Sequence, residues 1–404
     1  MEPGKSTGPW RRAIAIAQSN NTESLKGVTM GKNRARDLGI PLKGDPGRYN
    51  AITDVAGIEV GFSTVVIGEP EDYKGPGSDF ARTGVTAILP RGRKRSAVFA
   101  GRHDLNGNGE LTGTHWLDDS GFMHGPVLIT NTNSVGIVRD TASKWMIDNN
   151  FYYPMVVDDM PIDGVGYFYP TVGETWDGIM NDTNGFHVTA EHALEALDSA
   201  KPGPVAEGNV GGGTGMQCHS FKGGTGTASR VLTKEQGGFT VGVLVQANHG
   251  FREHFEILGI PMAGRITGCD PIIHTFEPKP GTGSIIVVVA TDAPVLPWQL
   301  TKVCRRVPIG IGKLGSGYEN GSGDIFIAFS TANENAYTFT RTTVDLLGDD
   351  MMDPIYKAVA ECVEEAILNA LCAAKTMIGR EFNQFFEMPH DQVVDILRKH
   401  GKIE

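Results

Sequence analysis

The sequence predicts an α/β fold in which helices cover stacked β-sheets. Short apolar segments bounded by glycine or proline are typical of buried strands. They occur at 84–89, 126–130, 239–246, 285–290 and 325–330. Segments with helical periodicity lie between them. Because buried strands need cover, this mixture favours helices on both outer faces of stacked sheets.

Four helices are expected between and after these strands. Thr189 is the expected N-cap of a helix over 190–200. The clearest helix is predicted over 354–376, with Asp353 as N-cap and Pro354 at the first helical position. Two further apolar stripes predict helices at 138–146 and 296–307.

Composition places the chain among ordinary globular proteins and excludes several classes of function. Its 404 residues are 40% hydrophobic and 21% charged, and no apolar run approaches the about 20 residues that span a bilayer. A net charge of −11 argues against a nucleic-acid partner. The five cysteines are odd in number and lack metal-type spacing, which favours reduced thiols in the cytoplasm and no bound metal. The 53 glycines cluster in motifs and indicate tight loops close to backbone or substrate.

Residues 1–29 carry few apolar side chains and are expected to form a disordered extension, or to precede a true start at Met30. A transit peptide is the alternative, although Glu2 and Glu23 count against it. Residues 30–404 are expected to form one domain, since a layered sandwich of this size can be a single unit.

The bond between Gly283 and Ser284 is the most informative position of the chain. A Gly-Thr-Gly segment leads into Ser284, which opens a fully apolar strand. Cleavage of this bond would free an α-amino group with a pKa of about 8, which could act as the base for its own hydroxyl. Glycine before the bond tolerates the twisted backbone that such an attack requires. On this pattern alone, an ordinary serine at the mouth of a buried strand is the more frequent interpretation.

Three other motifs could contribute to a site at this strand. Ser322 and Asp324 are held by glycines before a predicted strand and could bind a terminal amine, although a capped turn is the simpler interpretation. Asn248 ends another strand and could donate to an oxyanion, or merely form a turn. The glycines at 211–215, including Gly212 and Gly213, could offer backbone N–H groups near the cleavage site.

Other motifs support no competing chemistry. The segment 104–109 imitates a calcium loop, but its twelfth position is His115 where a carboxylate is required. A GxGxxG match at 310–315 has Pro308 before it, which argues against a dinucleotide site. Of the eleven histidines, only His219 and His249 are expected near a pocket, and for both a core or surface position is the more frequent interpretation.

Several longer segments together resemble the DmpA-type family, which comprises the L-aminopeptidase/D-amidase/D-esterase and β-peptidyl aminopeptidase enzymes. The resemblance extends from about residue 34 to about residue 374 and is specific because the matches follow in the same order. They lie at 34–41, 49–57, 208–216, 222–230 and 284–294.

The resemblance implies a four-layer αββα sandwich similar to N-terminal-nucleophile hydrolases, with different strand connectivity. It implies self-cleavage into chains 1–283 and 284–404, with Ser284 as the nucleophile of an acyl-enzyme. Asn248 would bind the oxyanion, while Ser322 and Asp324 would orient the new amine. Substrates would be small peptides or amino-acid amides and esters, with no cofactor or metal. The assembly would be a homo-oligomer of α/β heterodimers.

The chain departs from some relatives near the oxyanion. Where a tyrosine is expected, it reads Glu174-Thr-Trp176-Asp, so Trp176 is assigned to substrate binding with its role open. Two alternatives remain at this point. One is an acyltransferase similar to ornithine acetyltransferase, whose relatives use threonine at the cleavage site. The other is an uncleaved, non-enzymatic binding protein of the same fold.

Overall fold

A computed structural model describes residues 34–151, 155–157, 160–162, 169–275 and 282–404. Arg34–Glu404 forms one compact unit. The expectation for residues 1–29 lies outside the described residues. The strands in chain order are β1 (Glu59–Ile67), β2 (Ala81–Leu89), β3 (Val98–Gly107), β4 (Phe122–Met123), β5 (Val127–Asn131), β6 (Met155–Val157), β7 (Met160–Ile162), β8 (Thr171–Thr175), β9 (Gln217–Cys218), β10 (Phe221–Lys222), β11 (Gly224–Val231), β12 (Thr240–Asn248), β13 (Glu256–Ile257), β14 (Ile260–Pro261), β15 (Thr282–Thr291), β16 (Gly321–Ser330), β17 (Met377–Ile378) and β18 (Gln384–Phe385).

Helices cover two main sheets. They are α1 (Thr114–Ser120), α2 (Val135–Asp148), α3 (Ala190–Asp198), α4 (Pro297–Cys304), α5 (Val307–Gly312), α6 (Met352–Ala373) and α7 (His390–Lys399). The four-stranded sheet has the order β1-β2-β5-β8, and the six-stranded sheet has the order β11-β12-β15-β16-β3-β4. Strands β15 and β16 are parallel, whereas β12 pairs antiparallel with β15.

The alternation of side chains along β15 shows how the layers are stacked. Ile286 and Val288 belong to the core between the two sheets, together with Ile88 and Ile129 of the four-stranded sheet. Ile285, Val287 and Val289 point to the opposite face and pack in the core beneath α4, α5 and α6. A third core lies between the four-stranded sheet and helices α2 and α3. Because β15 is buried on both faces, its sequence is a continuous apolar run. The result is the αββα sandwich expected from the sequence.

The five strands expected from the sequence all form, with ends shifted by up to four residues. Thr189 is the N-cap of α3, as expected. The start predicted for the helix over 354–376, which corresponds to α6, was wrong. Met351 is the N-cap of α6, so Asp353 and Pro354 lie inside its first turn. A proline is tolerated there, and a carboxylate interacts favourably with the positive end of the helix dipole. The apolar stripe at 296–307 is divided between α4 and α5, because the chain turns at Arg305 and Arg306.

Among the strands of five or more residues, β1, β3, β8 and β11 were not expected. The sequence Gly224–Val231 contains two glycines, which weaken a strand, and only two apolar side chains, Ala228 and Val231. Tertiary packing overrides that preference, because a side chain at Gly226 would collide with the backbone of α6. Among the described residues, no helix is both long enough and apolar enough to cross a membrane.

Candidate active site

Three neighbouring strands bring the expected catalytic residues to one edge of the six-stranded sheet. Asn248, the last residue of β12, is paired in register with Ser284 of β15. On the other side of β15, Gly283 is opposite Ser322 and Ile285 is opposite Asp324. The four polar residues of this group are buried, with 1–4% of their surface exposed: Asn248, Ser284, Ser322 and Asp324. The sheet therefore places Asn248 on one side of the Gly283–Ser284 bond, and Ser322 and Asp324 on the other side, although these residues are far apart along the chain.

The carboxamide of Asn248 is fixed in one orientation and points its donor at the serine. Its Oδ1 accepts a hydrogen bond from the backbone N–H of Gln217 at 3.0 Å. Its Nδ2 donates to the carbonyl of Trp176 at 2.8 Å and reaches Ser284 Oγ at 3.4 Å. Because the acceptor end is held by a backbone donor, the amide cannot flip without losing both strong hydrogen bonds. A fixed donor beside a nucleophilic hydroxyl is suited to bind an oxyanion that forms on the carbonyl under attack.

Ser322 and Asp324 form a hydrogen-bonded pair beside the serine backbone. Ser322 Oγ donates to Asp324 Oδ1 at 2.6 Å. Burial raises the pKa of the Asp324 carboxyl to about 6; the Ser322 hydrogen bond lowers it and the charge of Glu319 raises it. By strand alternation, both side chains lie on the helix-covered face with Phe326, whereas Ser284 shares the inter-sheet face with Ile286. The pair therefore flanks the Ser284 amide and not its hydroxyl.

The start of β16 is held by side chains from the end of β3. Asn106 donates to the carbonyl of Asn320 at 2.6 Å and also to the carbonyl of Ser322. Asn108 donates to the carbonyl of Gly321 at 2.6 Å. A side chain at Gly323 would collide with the carbonyl of Asn108. The glycine and the two asparagines thus let the strand that carries Ser322 lie close to β3.

Close packing against its neighbours disfavours a side chain at Gly283. A Cβ atom there would lie 3.0 Å from the carbonyl oxygen of Asn248 and 3.1 Å from the Cα atom of His249. Both are backbone atoms of the adjacent strand end, so they cannot move away easily. The residue before the serine is therefore restricted by packing against the strand end that carries Asn248.

Glu174, at the end of β8, is a buried carboxylate that the sequence did not single out as a site residue. It is 4% exposed, accepts a hydrogen bond from the N–H of Glu110 at 3.0 Å and another from Thr132 Oγ1. Desolvation raises the pKa of its carboxyl. A Cβ atom at Gly109 would lie 3.0 Å from Glu174 Oε1 and 3.6 Å from the Cα atom of Gly323, which is the register partner of Ser284. The carboxylate therefore lies on the inter-sheet side of the serine.

Trp176 contributes its backbone to the same region and is partly exposed. Its carbonyl accepts from Asn248, and 40% of the residue is exposed. The next residue, Asp177, is buried and accepts a hydrogen bond from Asn181 at 3.0 Å. Burial raises the pKa of the Asp177 carboxyl to about 6. Trp176 is thus joined to the site through its carbonyl, while part of the residue is open to solvent.

Gly212 and Gly213 lie in a buried turn at Gly211–Gly213, and their amides are already engaged. The N–H of Gly212 donates to Thr86 Oγ1 at 3.1 Å, and the N–H of Gly213 donates to the carbonyl of Val210 at 3.1 Å. A side chain at Gly212 would collide with Gln246. The structure therefore gives these glycines a packing role and differs from the expectation that they offer free donors to a substrate.

Cys218, His219 and His249 form a buried group next to Asn248. One possible ligand atom from each lies within 4.8 Å of the others, and Cys218 Sγ is 3.9 Å from His249 Nδ1. Among the described residues, neither histidine Nε2 atom has a hydrogen-bond partner. Burial raises the pKa of the Cys218 thiol to about 12 and lowers the pKa of His219 to about 4. Two ligands on one zinc ion are about 3.3–3.8 Å apart, so these side chains would have to approach one another and lose the thiol proton to share an ion.

A buried serine hydroxyl with a fixed amide donor, at the start of a strand in an αββα sandwich, is typical of a serine hydrolase with the fold of the N-terminal-nucleophile enzymes. The chain belongs to peptidase family S58, whose profile matches residues 50–385. Among curated relatives, it is 45% identical over 388 residues to a beta-peptidyl aminopeptidase of Sphingosinicella microcystinivorans, covering 92% of this chain and 93% of the relative. It is 38% identical over 401 residues to a beta-peptidyl aminopeptidase of Sphingosinicella xenopeptidilytica, covering 96% and 97%.

Solved structures agree with this assignment. The L-aminopeptidase D-Ala-esterase/amidase of Ochrobactrum anthropi, described as a variant of the Ntn hydrolase fold, matches with a TM-score of 0.82 and 44% identity, covering 92% of this chain and all of that one. A Burkholderia beta-aminopeptidase matches with a TM-score of 0.79 and 42% identity, covering 91% and 99%. The chain is thus a serine aminopeptidase with the fold of the Ntn hydrolases, and the acyltransferase and binding-protein alternatives are not favoured.

Proposed function

We propose that the chain matures by cutting its own Gly283–Ser284 bond. Ser284 Oγ attacks the Gly283 carbonyl carbon, and the C–N bond breaks as the acyl group moves from nitrogen to oxygen. Water then hydrolyses the ester, leaving a carboxylate on Gly283 and a free amine on Ser284. The products are chains 1–283 and 284–404. The observation that carries this proposal is the fixed Asn248 donor, 3.4 Å from Ser284 Oγ and able to bind an oxyanion there.

In the mature enzyme, the Ser284 amine takes the Oγ proton while the hydroxyl attacks the substrate carbonyl. The amine then protonates the leaving group, and water resolves the acyl-enzyme by the same route in reverse. Asn248 holds the oxyanion in both steps. Ser322 and Asp324 flank the residue that carries the new amine, one register position to either side. Their hydroxyl and carboxylate orient the aminium and balance its charge.

Glu174 could supply a negative charge for the substrate's free amino group, which an aminopeptidase must bind and a general amidase need not. The free amino group of the substrate is a cation, and it must lie near the carbonyl that Ser284 attacks. Glu174 Oε1 lies on the inter-sheet side and packs near Gly109, as does Gly323, the register partner of Ser284. Its burial makes an ion pair with the substrate amine stronger than it would be in water. We therefore assign Glu174 to binding of the substrate amine, and the partly exposed Trp176 to contact with the substrate side chain.

Short peptides and amino-acid amides or esters are the proposed substrates. Peptides with an N-terminal β-amino acid are included, because the two Sphingosinicella relatives are named beta-peptidyl aminopeptidases. The active form is proposed to be a homo-oligomer of α/β heterodimers in the cytoplasm. Five cysteines without a disulfide partner among the described residues support a reducing compartment.

The test is the Ser284→Ala variant, with Ser330→Ala as a matched control. Ser330 is a buried serine at the far end of β16, where its hydroxyl donates to the carbonyl of Ala293. Mass spectrometry should find the Ser284→Ala chain intact at 43.4 kDa and without aminopeptidase activity. The control should be cut and active on α- and β-aminoacyl p-nitroanilides. Two fragments from the Ser284→Ala chain would refute the mechanism.

A further inference from the structure

The ammonium group of Lys222 is buried next to the site, without a carboxylate. Lys222 ends β10 and has no exposed surface. Its Nζ donates to the carbonyls of Met216 at 2.7 Å and Gly223 at 3.0 Å, and reaches the carbonyl of Gly213 at 3.4 Å. Among the described residues, no Asp or Glu lies within ion-pair distance of this group. A buried charge held only by carbonyl dipoles is costly, so its position calls for a physical explanation.

The hydrogen bonds of Lys222 lead directly to the catalytic serine. The carbonyl of Met216 and the N–H of Gln217 belong to the same peptide group. That N–H donates to Asn248 Oδ1 at 3.0 Å, and Asn248 Nδ2 reaches Ser284 Oγ at 3.4 Å. The ammonium, the peptide group and the carboxamide therefore form one chain of hydrogen bonds, and each member is oriented with its donor toward the serine.

Such a chain has two physical consequences. A cation on the carbonyl of a peptide group draws electron density toward that oxygen, which makes the N–H of the same group a stronger donor. The effect passes through the Asn248 carboxamide to its Nδ2 donor, because linked hydrogen bonds polarise one another. The low effective dielectric of this buried region also strengthens each of the linked hydrogen bonds, so more of the polarisation reaches the Asn248 donor.

We propose that Lys222 is a positioning residue for acyl transfer, which orients and polarises the Asn248 carboxamide through the Met216–Gln217 peptide group. The inference rests on the roles proposed above for Ser284 and Asn248. Three carbonyl acceptors require three hydrogens on Nζ, so the charged form of Lys222 matches its surroundings. Burial lowers the pKa of Lys222 to about 7, and the neighbouring Cys218 thiol raises it.

The simpler interpretation is that Lys222 only ties the 213–217 loop to β10. The two interpretations differ in what the removal of the lysine changes. A tether affects the stability of the fold and the amount of folded enzyme. A relay affects the rate of the chemical step for each folded molecule, and only while Asn248 is present.

The experiment compares Lys222→Gln and Lys222→Met with a control, Lys375→Met. Lys375 is exposed and forms a surface ion pair with Glu387. The rate of self-cleavage is followed by mass spectrometry, and kcat and KM are measured on the processed fraction, with Tm as the measure of folding. We expect both Lys222 variants to lose 10- to 100-fold in self-cleavage rate and in kcat, with KM within twofold. The control should match the parent chain.

A double-mutant cycle with Asn248→Ala separates the relay from a tether. In the Asn248→Ala background, Lys222→Gln should slow self-cleavage by less than twofold, because the group through which it acts is gone. An equal loss in both backgrounds, or a parental rate in the Lys222→Gln single variant, would overturn the proposal. Should Lys222→Met fail to fold, Lys222→Gln keeps the test valid, since its amide retains two donors. If Asn248→Ala cleaves itself at the parental rate, the proposed role of Asn248 as oxyanion donor fails as well. If Asn248→Ala slows self-cleavage and Lys222→Gln does not, only the role of Lys222 is removed.

Discussion

Replacing Asn248 with alanine is the sharpest test of the proposed oxyanion site. The change removes the Nδ2 donor that lies 3.4 Å from Ser284 Oγ. Loss of one such donor typically costs ~2.7–4 kcal/mol of transition-state stabilisation, or a 10²- to 10³-fold decrease in kcat. Because the oxyanion exists only during reaction, KM should change little. Self-cleavage should slow by a similar factor, since it passes through a tetrahedral oxyanion at the same serine.

The same substitution also affects stability, which needs a control. It leaves the N–H of Gln217 and the carbonyl of Trp176 without their side-chain partner, at a cost of about 1–3 kcal/mol for each buried group left unpaired. Asn369→Ala removes a buried carboxamide with the same kind of partners, the N–H of Ala35 and the carbonyl of Thr227, away from the site. Both variants should lower Tm, but only Asn248→Ala should slow self-cleavage and lower kcat on an aminoacyl p-nitroanilide. A tenfold or smaller effect on both rates, or an equal effect of Asn369→Ala, would refute the assignment.

Two further predictions concern the carboxylates. Glu174→Gln keeps the acceptor for the Glu110 N–H but cannot pair with a cation, so KM for an aminoacyl p-nitroanilide should rise about 10- to 100-fold, in line with the loss of a partly buried charge pair; an unchanged KM would remove Glu174 from substrate binding. Asp324 has a pKa of about 6 against an ordinary 3.8, so the folded state binds its proton more tightly than the unfolded state and stability from this group is lost as pH rises toward 7. Urea unfolding of the uncut Ser284→Ala chain should therefore show roughly 1 kcal/mol more stability at pH 5 than at pH 7, relative to a chain that also carries Asp324→Asn. An identical pH dependence in both chains would contradict the burial of a charged Asp324.

The strands that could be predicted from the sequence are those with apolar side chains on both faces. The run Ile285–Ala290 is buried on both sides of the six-stranded sheet, so hydrophobicity alone identifies it. Strand β11 escapes such reasoning because it contributes glycines and hydroxyl residues. Its place depends on α6 packing against Gly226, a contact between segments far apart in the chain.

The candidate site divides in the same way. Ser284, Asn248, Ser322 and Asp324 could be proposed because they lie at the ends of recognisable strands, in segments that resemble a known family. Glu174 and Lys222 could not be proposed, since a single charged residue carries no periodic signal. Glu174 becomes a candidate because the fold brings it close to Gly109, which follows β3 of the six-stranded sheet. Lys222 becomes a candidate because three carbonyl groups surround its ammonium.

The two faces of β15 explain why cleavage would convert one residue into a complete catalyst. In the uncut chain, Ser284 Oγ points between the sheets toward Asn248, while Ser322 and Asp324 lie on the helix-covered face. The Ser284 nitrogen lies between these faces, but as a peptide nitrogen it has no basicity. Hydrolysis of the bond to Gly283 would turn this atom into an amine that can reach the hydroxyl on one side and the Ser322–Asp324 pair on the other. The uncut chain must therefore use another group to accept the Oγ proton, and self-cleavage should be slower than turnover of a good substrate.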